Sequence, residues 1–228
     1  MSIWLDNFGF SQYGLYGALD RFGSLSLTDS SPAQSWIEPL AIDLVKDYLK
    51  VPQRSPADSF EDMQIAMFIS AARYQAEILQ GRDLLSKQFD LTFDYWPSFR
   101  IRLRDPLKSI DLIQTKDNTG ATTDLVEGTD YIVDMSKHPG IITPPYNGTW
   151  PAFSLWPTSS ILIRFTSGYS PSDAYWNGPG NLVKNGMLLL ISAWYNNHLP
   201  FEKGVGAADE YPYAVTSCLS FGALERAR

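Results

Sequence analysis

Near residue 85 the spacing of apolar residues changes from about 3.6 to two, and near residue 180 it changes back, so the chain reads as helix, then sheet, then helix. Before the change, Ile65, Phe68, Ile69, Ala72, Ala76 and Leu79 mark one face of a helix over about 59–80. Ser59 and Asp62 resemble a capping box at its start, and Gly81 supplies a C-terminal stop. An earlier helix is read in "EPLAIDLVKDYLKV", where Leu40, Leu44, Val45, Tyr48 and Leu49 share helical spacing. Pro39 suits its first turn and Pro52 ends it. From 86 to 170, "KQFDLTFDYW" alternates Phe89, Leu91 and Phe93 with polar neighbours, and "FRIRLRDPL" alternates Phe99, Ile101 and Leu103 with Arg100, Arg102 and Arg104. Further short strands follow, separated by Gly and Pro. The last of them, "ILIRFTSGYSPSD", stops at a Gly-Tyr turn. "NLVKNGMLLLISAWYNN" is then apolar on more than one stripe. It predicts a helix over 181–199 that is surrounded by protein and ended by Pro200. A short final helix begins near Tyr213 and fades at Gly222.

The fold class is therefore α+β: a small, mainly antiparallel helical bundle of about four helices, with an antiparallel β domain inserted between the second and third. Residues 1–36 form an N-terminal arm rich in aromatics and Gly. Residues 37–85 are the first half of the bundle, 86–170 the inserted β domain, 171–222 the second half of the bundle, and 223–228 a polar tail. The arm has no sustained period. It is either a loose tail or a segment that orders against a partner and so removes Trp4, Phe8, Phe10, Tyr13 and Tyr16 from water.

Composition narrows the function. The 228 residues carry a net charge of −7, so nothing draws the whole chain to nucleic acid phosphates. The single Cys218 permits no internal disulfide and reads as an inert thiol. The N-terminus has no basic leader and no run reaches the length of a membrane span, so the expectation is a soluble chain made inside the cell, with no membrane partner. His138 and His198 lie in no metal-ligand spacing, and phosphate-loop, dinucleotide and nucleophile-elbow motifs are absent. The expectation is no enzyme, no catalytic residue, no metal and no cofactor. Acidic pairs (Asp90 with Asp94, Asp124 with Glu127, Asp209 with Glu210) and the aromatic content keep open a carbohydrate-binding or glycan-hydrolysing module. Asn147-Gly-Thr149 matches a sequon but reads as chance. Arg100, Arg102 and Arg104 fall on one side of a strand. They are either a solvated face bridged by neighbouring acids or a docking surface for an acidic partner, such as another copy of the chain.

Several segments together resemble the head–tail connector (adaptor) proteins of tailed phages, in a long form with an inserted β domain. "EPLAIDLVKDYLKV" is similar to their opening helix. "FEDMQIAMFISAARYQAEILQGRDLLSKQFDLTFDYWP" resembles their second helix and the strand after it, at Ile69, Ala71, Ala72, Arg73, Glu77, Gly81, Arg82, Gln88 and Pro97. "IRLRDPLKSIDLIQ", "DYIVD", "WP", "IRFTSGY" and "LLLISAWYNN" match later landmarks in order. The resemblance spans about 37–222, and residues 1–36 have no counterpart. It implies a structural virion protein made in the host cytoplasm. Such a protein forms a ring, usually of twelve copies, below the portal protein at the head–tail interface. The ring extends the channel for double-stranded DNA, without sequence-specific binding, and offers a platform to a stopper or tail-proximal neck protein. It also implies that the C-terminal segment (Phe221, Gly222, Ala223, Leu224, Glu225, Arg226 and Arg228) grips the portal. Another neck protein, such as a stopper or tail terminator, is the remaining alternative. Those are mainly β-structured, and the long helices argue against them.

Overall fold

The computed structural model describes residues 23–27, 37–52, 60–96, 100–151, 154–196 and 213–220. The chain is α+β, with four α-helices and antiparallel sheets among these residues. It divides into two compact units, one of residues 1–35, 81–169 and 225–228, the other of residues 36–80 and 170–224.

In the β unit, β1 (Gly23–Leu27), β2 (Lys87–Phe93), β4 (Leu107–Lys116), β5 (Thr122–Asp124) and β8 (Ile161–Ser167) form one sheet in the order β1-β2-β8-β4-β5. A second sheet has the order β3-β7-β6, from β3 (Ile101–Arg102), β6 (Ile132–Asp134) and β7 (Ile141–Thr143). β2 and β8 pair from Lys87↔Ser167 to Phe93↔Ile161. Their period-two burial follows from alternation: Phe89, Leu91, Phe93, Ile161, Ile163 and Phe165 point into the core. Phe89 and Phe165 stack there at 5.6 Å. Both sheets feed one core cluster, to which the second sheet adds Ile101 and Ile142, and the loops add Leu103, Leu125, Tyr131 and Trp150. Each such burial stabilises by about 1.5–3 kcal/mol.

The opposite side of the large sheet is polar and cross-linked between strands. Arg164 donates to both carboxylate oxygens of Asp90, at 2.7 and 2.8 Å. Ser24 meets Thr92, while Gln88 and Thr166 both donate to Asp111. β1 is a strand that the sequence reading did not place: it lies within the segment read as an arm and pairs antiparallel with β2. The Gly-Tyr turn after β8 has a steric cause. Gly168 sits at φ +103, and a Cβ there would come within 1.8 Å of the Leu85 carbonyl oxygen.

In the helical unit, α1 (Ile42–Leu49) is shorter than its sequence pattern and starts after Pro39, which is not in its first turn. The extended backbone of the N-cap Ala41, the buried Leu40 and an ion pair from Arg73 to Glu38 at 2.9 Å together set the entry. α2 (Phe60–Gln80) buries Ile65, Ile69, Ala72 and Ala76, and Gly81 at φ +70 ends it. Ser59 lies outside the described residues, so the expected capping box does too. A 3-10 turn at Ala174–Asn177 leads into α3 (Pro179–Asn196), and α4 (Tyr213–Leu219) packs on α3. That approach is close at Gly186, where a Cβ would stand 2.8 Å from Leu219. α3 is not enclosed on every side, contrary to its sequence pattern. Val183, Gly186, Met187, Leu190 and Ile191 are buried, but Leu182 is exposed and Trp194 only half-buried. The unit's packing uses one side of α3, and Trp194 continues that side near the C-terminal end of the helix, where it meets Phe68 of α2. Pro200 lies outside the described residues.

Candidate assembly interface

The arginine segment retains the expected alternation, but only Ile101 and Arg102 are strand. Ile101 and Leu103 are buried; Arg100 and Arg102 are exposed. Arg104 turns inward. It donates from Nε to Asp83 at 2.7 Å, and its second nitrogen pairs with the other carboxylate oxygen of Asp83. Asp83 has no exposed surface and also accepts from Ser167 Oγ at 2.8 Å. The Arg104 guanidinium lies 4.8 Å from the centre of the Phe89 ring. Next to this pair, the Asp83 amide donates to the Asp105 carbonyl at 2.7 Å. The buried Asp105 carboxylate meets His138 Nδ1 at 2.6 Å and Arg82 at 3.5 Å. The three arginines are thus not one surface: two are exposed, and the third joins buried charges drawn from separate segments of the chain, Arg82 and Asp83 in one, Arg104 and Asp105 in another, with His138 and Ser167.

The helical unit has its own buried charges. Lys46 pairs with Asp62, and Arg73 with Glu77 at 2.8 Å. Tyr195 donates to Glu61 at 2.7 Å, and that hydrogen bond holds its phenol above the usual range. The opposite side of α2 is exposed and apolar, at Phe60, Met63, Met67 and Tyr74. The sequence reading named only the buried face, although these four recur at 3, 4 and 7 residues and so fall together on the other side.

The remaining candidates place as follows. Trp4, Phe8, Phe10, Tyr13 and Tyr16, the segment Phe221 to Arg228, and the pair Asp209 and Glu210 lie outside the described residues. Asp94 accepts from the Ser159 amide and Asp124 from Gln114. Trp96 and Trp150 stack at 4.2 Å against the β core. Among the described residues, no group of three or more His, Cys, Asp or Glu is arranged to hold a metal ion, and no helix is long and apolar enough to cross a membrane.

No protein-family model matches the sequence, and no curated protein matches it. Solved structures do match. The fold is similar to a chain in the neck of an empty GTA particle computed with C6 symmetry, with TM-score 0.63 and 21% identity, covering 89% of this chain and 96% of that one. It is similar to a chain in the virion of a native gene transfer agent (GTA) particle, at 0.62 and 19%, with the same coverage. A third match is in the neck of a native GTA particle computed with C12 symmetry, at 0.60 and 20%, again covering 89% and 96%. At these identities the likeness is one of fold, and it extends over nearly the whole of both chains.

Proposed function

We propose that this chain is a structural, non-enzymatic component of the neck of a tailed-phage-like particle, and within the neck a head–tail connector (adaptor) subunit. The observation that supports this best is the fold likeness to three chains from GTA neck and virion structures, over 89% of this chain and 96% of each of those. The ordered motifs over about 37–222 support it from the sequence. In this reading the helical unit is a bundle into which the β unit is inserted between α2 and α3. Copies close into a ring, of twelve by the family resemblance, below the portal. The ring extends the DNA channel and seats a stopper or tail-proximal protein. The arm and the tail reach the neighbours, with Phe221 to Arg228 toward the portal. In this reading the exposed Arg102 meets an acidic neighbour, while Arg104 contributes to the β unit's stability. A glycan platform is less well supported, because the Trp96–Trp150 stack turns into the core.

The test is to label this protein in purified particles and image them. The label is expected as a collar at the junction of head and tail. A label on the head shell, on the tail tip, or absent from particles overturns the proposal.

A further inference from the structure

The outer side of α2 is unusual for an exposed helix. Phe60, Met63, Met67 and Tyr74 are between 51 and 83% exposed and form one stripe about four turns long. Ser70, in the same stripe, donates its hydroxyl back to the carbonyls of Ala66 and Met67 at 3.2 and 3.1 Å, so its donor is satisfied without water. Between Asp62 and Glu77 the only charged residue is Arg73. All three are buried in ion pairs, so this outer side bears no charge. Copies of a chain of net charge −7 repel one another, and contact between them is least opposed where a surface has no charge.

A second apolar surface lies on α1. Leu44 (49% exposed) and Tyr48 (43%) are one turn apart and share a side. Lys46 reaches α2 through its pair with Asp62. At 100° per residue, Leu44 and Tyr48 each stand about 160° around α1 from Lys46, and so face away from α2. The helical unit therefore presents two different apolar surfaces in different directions. Copies joined through one such pair of unlike surfaces make a heterologous contact, which closes as a ring when the rotation fits.

We infer that the α2 stripe of one copy receives the α1 surface of the next copy of this chain. The inference rests on the ring reading above and assigns its lateral contact. The α1 surface also bears exposed Asp43 and Asp47, which would meet an uncharged stripe rather than other acids. That makes the unlike pairing better than α1 on α1.

The test uses the full chain with Met67→Glu or Leu44→Glu, both exposed positions, with circular dichroism to show that each variant folds. By native mass spectrometry at rising concentration, the wild type is expected to assemble beyond a dimer and each variant alone to stay monomeric. Mixed one to one, the variants are expected to form a heterodimer and stop there, because the mixture retains one intact contact. Four outcomes overturn the inference: a wild type that is monomeric at its highest soluble concentration, either variant assembling like wild type, L44E dimerising alone through α2 on α2, or a mixture without heterodimer. Failure of the neck assignment itself is read separately, from the labelled particles.

Discussion

Asp83 and Arg104 form the most consequential contact between single residues. The carboxylate is fully buried and accepts from two nitrogens on one edge of the guanidinium and from Ser167. Removing one partner of a buried pair leaves the other charge desolvated, which costs about 3–5 kcal/mol. Asp83→Asn is expected near the low end, about 3 kcal/mol in urea unfolding, because Arg104 keeps an outlet to solvent. Arg102→Glu, at an exposed position, is expected to change stability by less than about 0.5 kcal/mol. Equal losses for the two would mean that the arginines act alike. Their alternation was legible in the sequence, but the division of labour was not, because the acid that claims Arg104 lies 21 residues upstream. Tyr131 allows a test by pH. Burial first, then the charges of Glu127 and Asp130, raise its phenol above the usual 10.0. The folded state therefore holds the proton more tightly than the unfolded chain. The associated stability is complete below the unfolded value and is lost as pH rises through the raised one. Between about pH 8 and 11 the melting midpoint of wild type should fall more steeply than that of Tyr131→Phe; parallel curves would show that Tyr131 is not the cause.

At the scale of elements, helices were read well where one strong period ran for many residues. α2 was expected over about 59–80 and spans Phe60–Gln80. β2 and β8 were legible because strict alternation and β-branched or aromatic residues coincide. β1 was not, because "GSLSL" lies in a Gly- and Ser-rich stretch and is a strand only through its pairing with β2. The outer stripe of α2 was legible in its spacing, yet nothing in a single chain distinguishes a second apolar face from tolerated exposure. α3 shows the converse: its composition is apolar on every side, but its burial is not. Met187 is fully buried, so Met187→Ala is expected to cost about 2–5 kcal/mol. Trp194 is half-buried against Phe68, so Trp194→Ala should cost about 2 kcal/mol, less than a fully enclosed aromatic. Denaturant midpoints of the two variants decide it, and a greater loss at Trp194 would mean that the C-terminal end of α3 is as enclosed as its middle.

At the scale of the whole molecule, each unit buries its own set of apolar side chains, and the described contacts that hold the last helix end at Ser220. α4 is held by the buried Val215 and Leu219, by the hydrogen bond from Gln80 to the Leu219 carbonyl at 3.0 Å, and by its close approach to Gly186. Ser220 bonds back to the Thr216 carbonyl through both its amide and its hydroxyl. A chain that stops after Ser220 keeps every one of these contacts. Its melting midpoint should therefore match that of the full chain within about 2 °C, equivalent to about 0.5–1 kcal/mol. If Phe221 to Arg228 is the portal-gripping segment of an adaptor, the same truncation removes its assembly role. Particle assembly in cells supplied only with the truncated protein should yield heads without tails, and the purified protein should fail to bind isolated portal. The two readouts separate the explanations. A truncated chain that melts early has lost structure, and its assembly defect says nothing of the portal. One that melts normally and still completes infectious particles shows that attachment lies elsewhere in the chain, which returns attention to the arm and to the exposed arginines of the β unit.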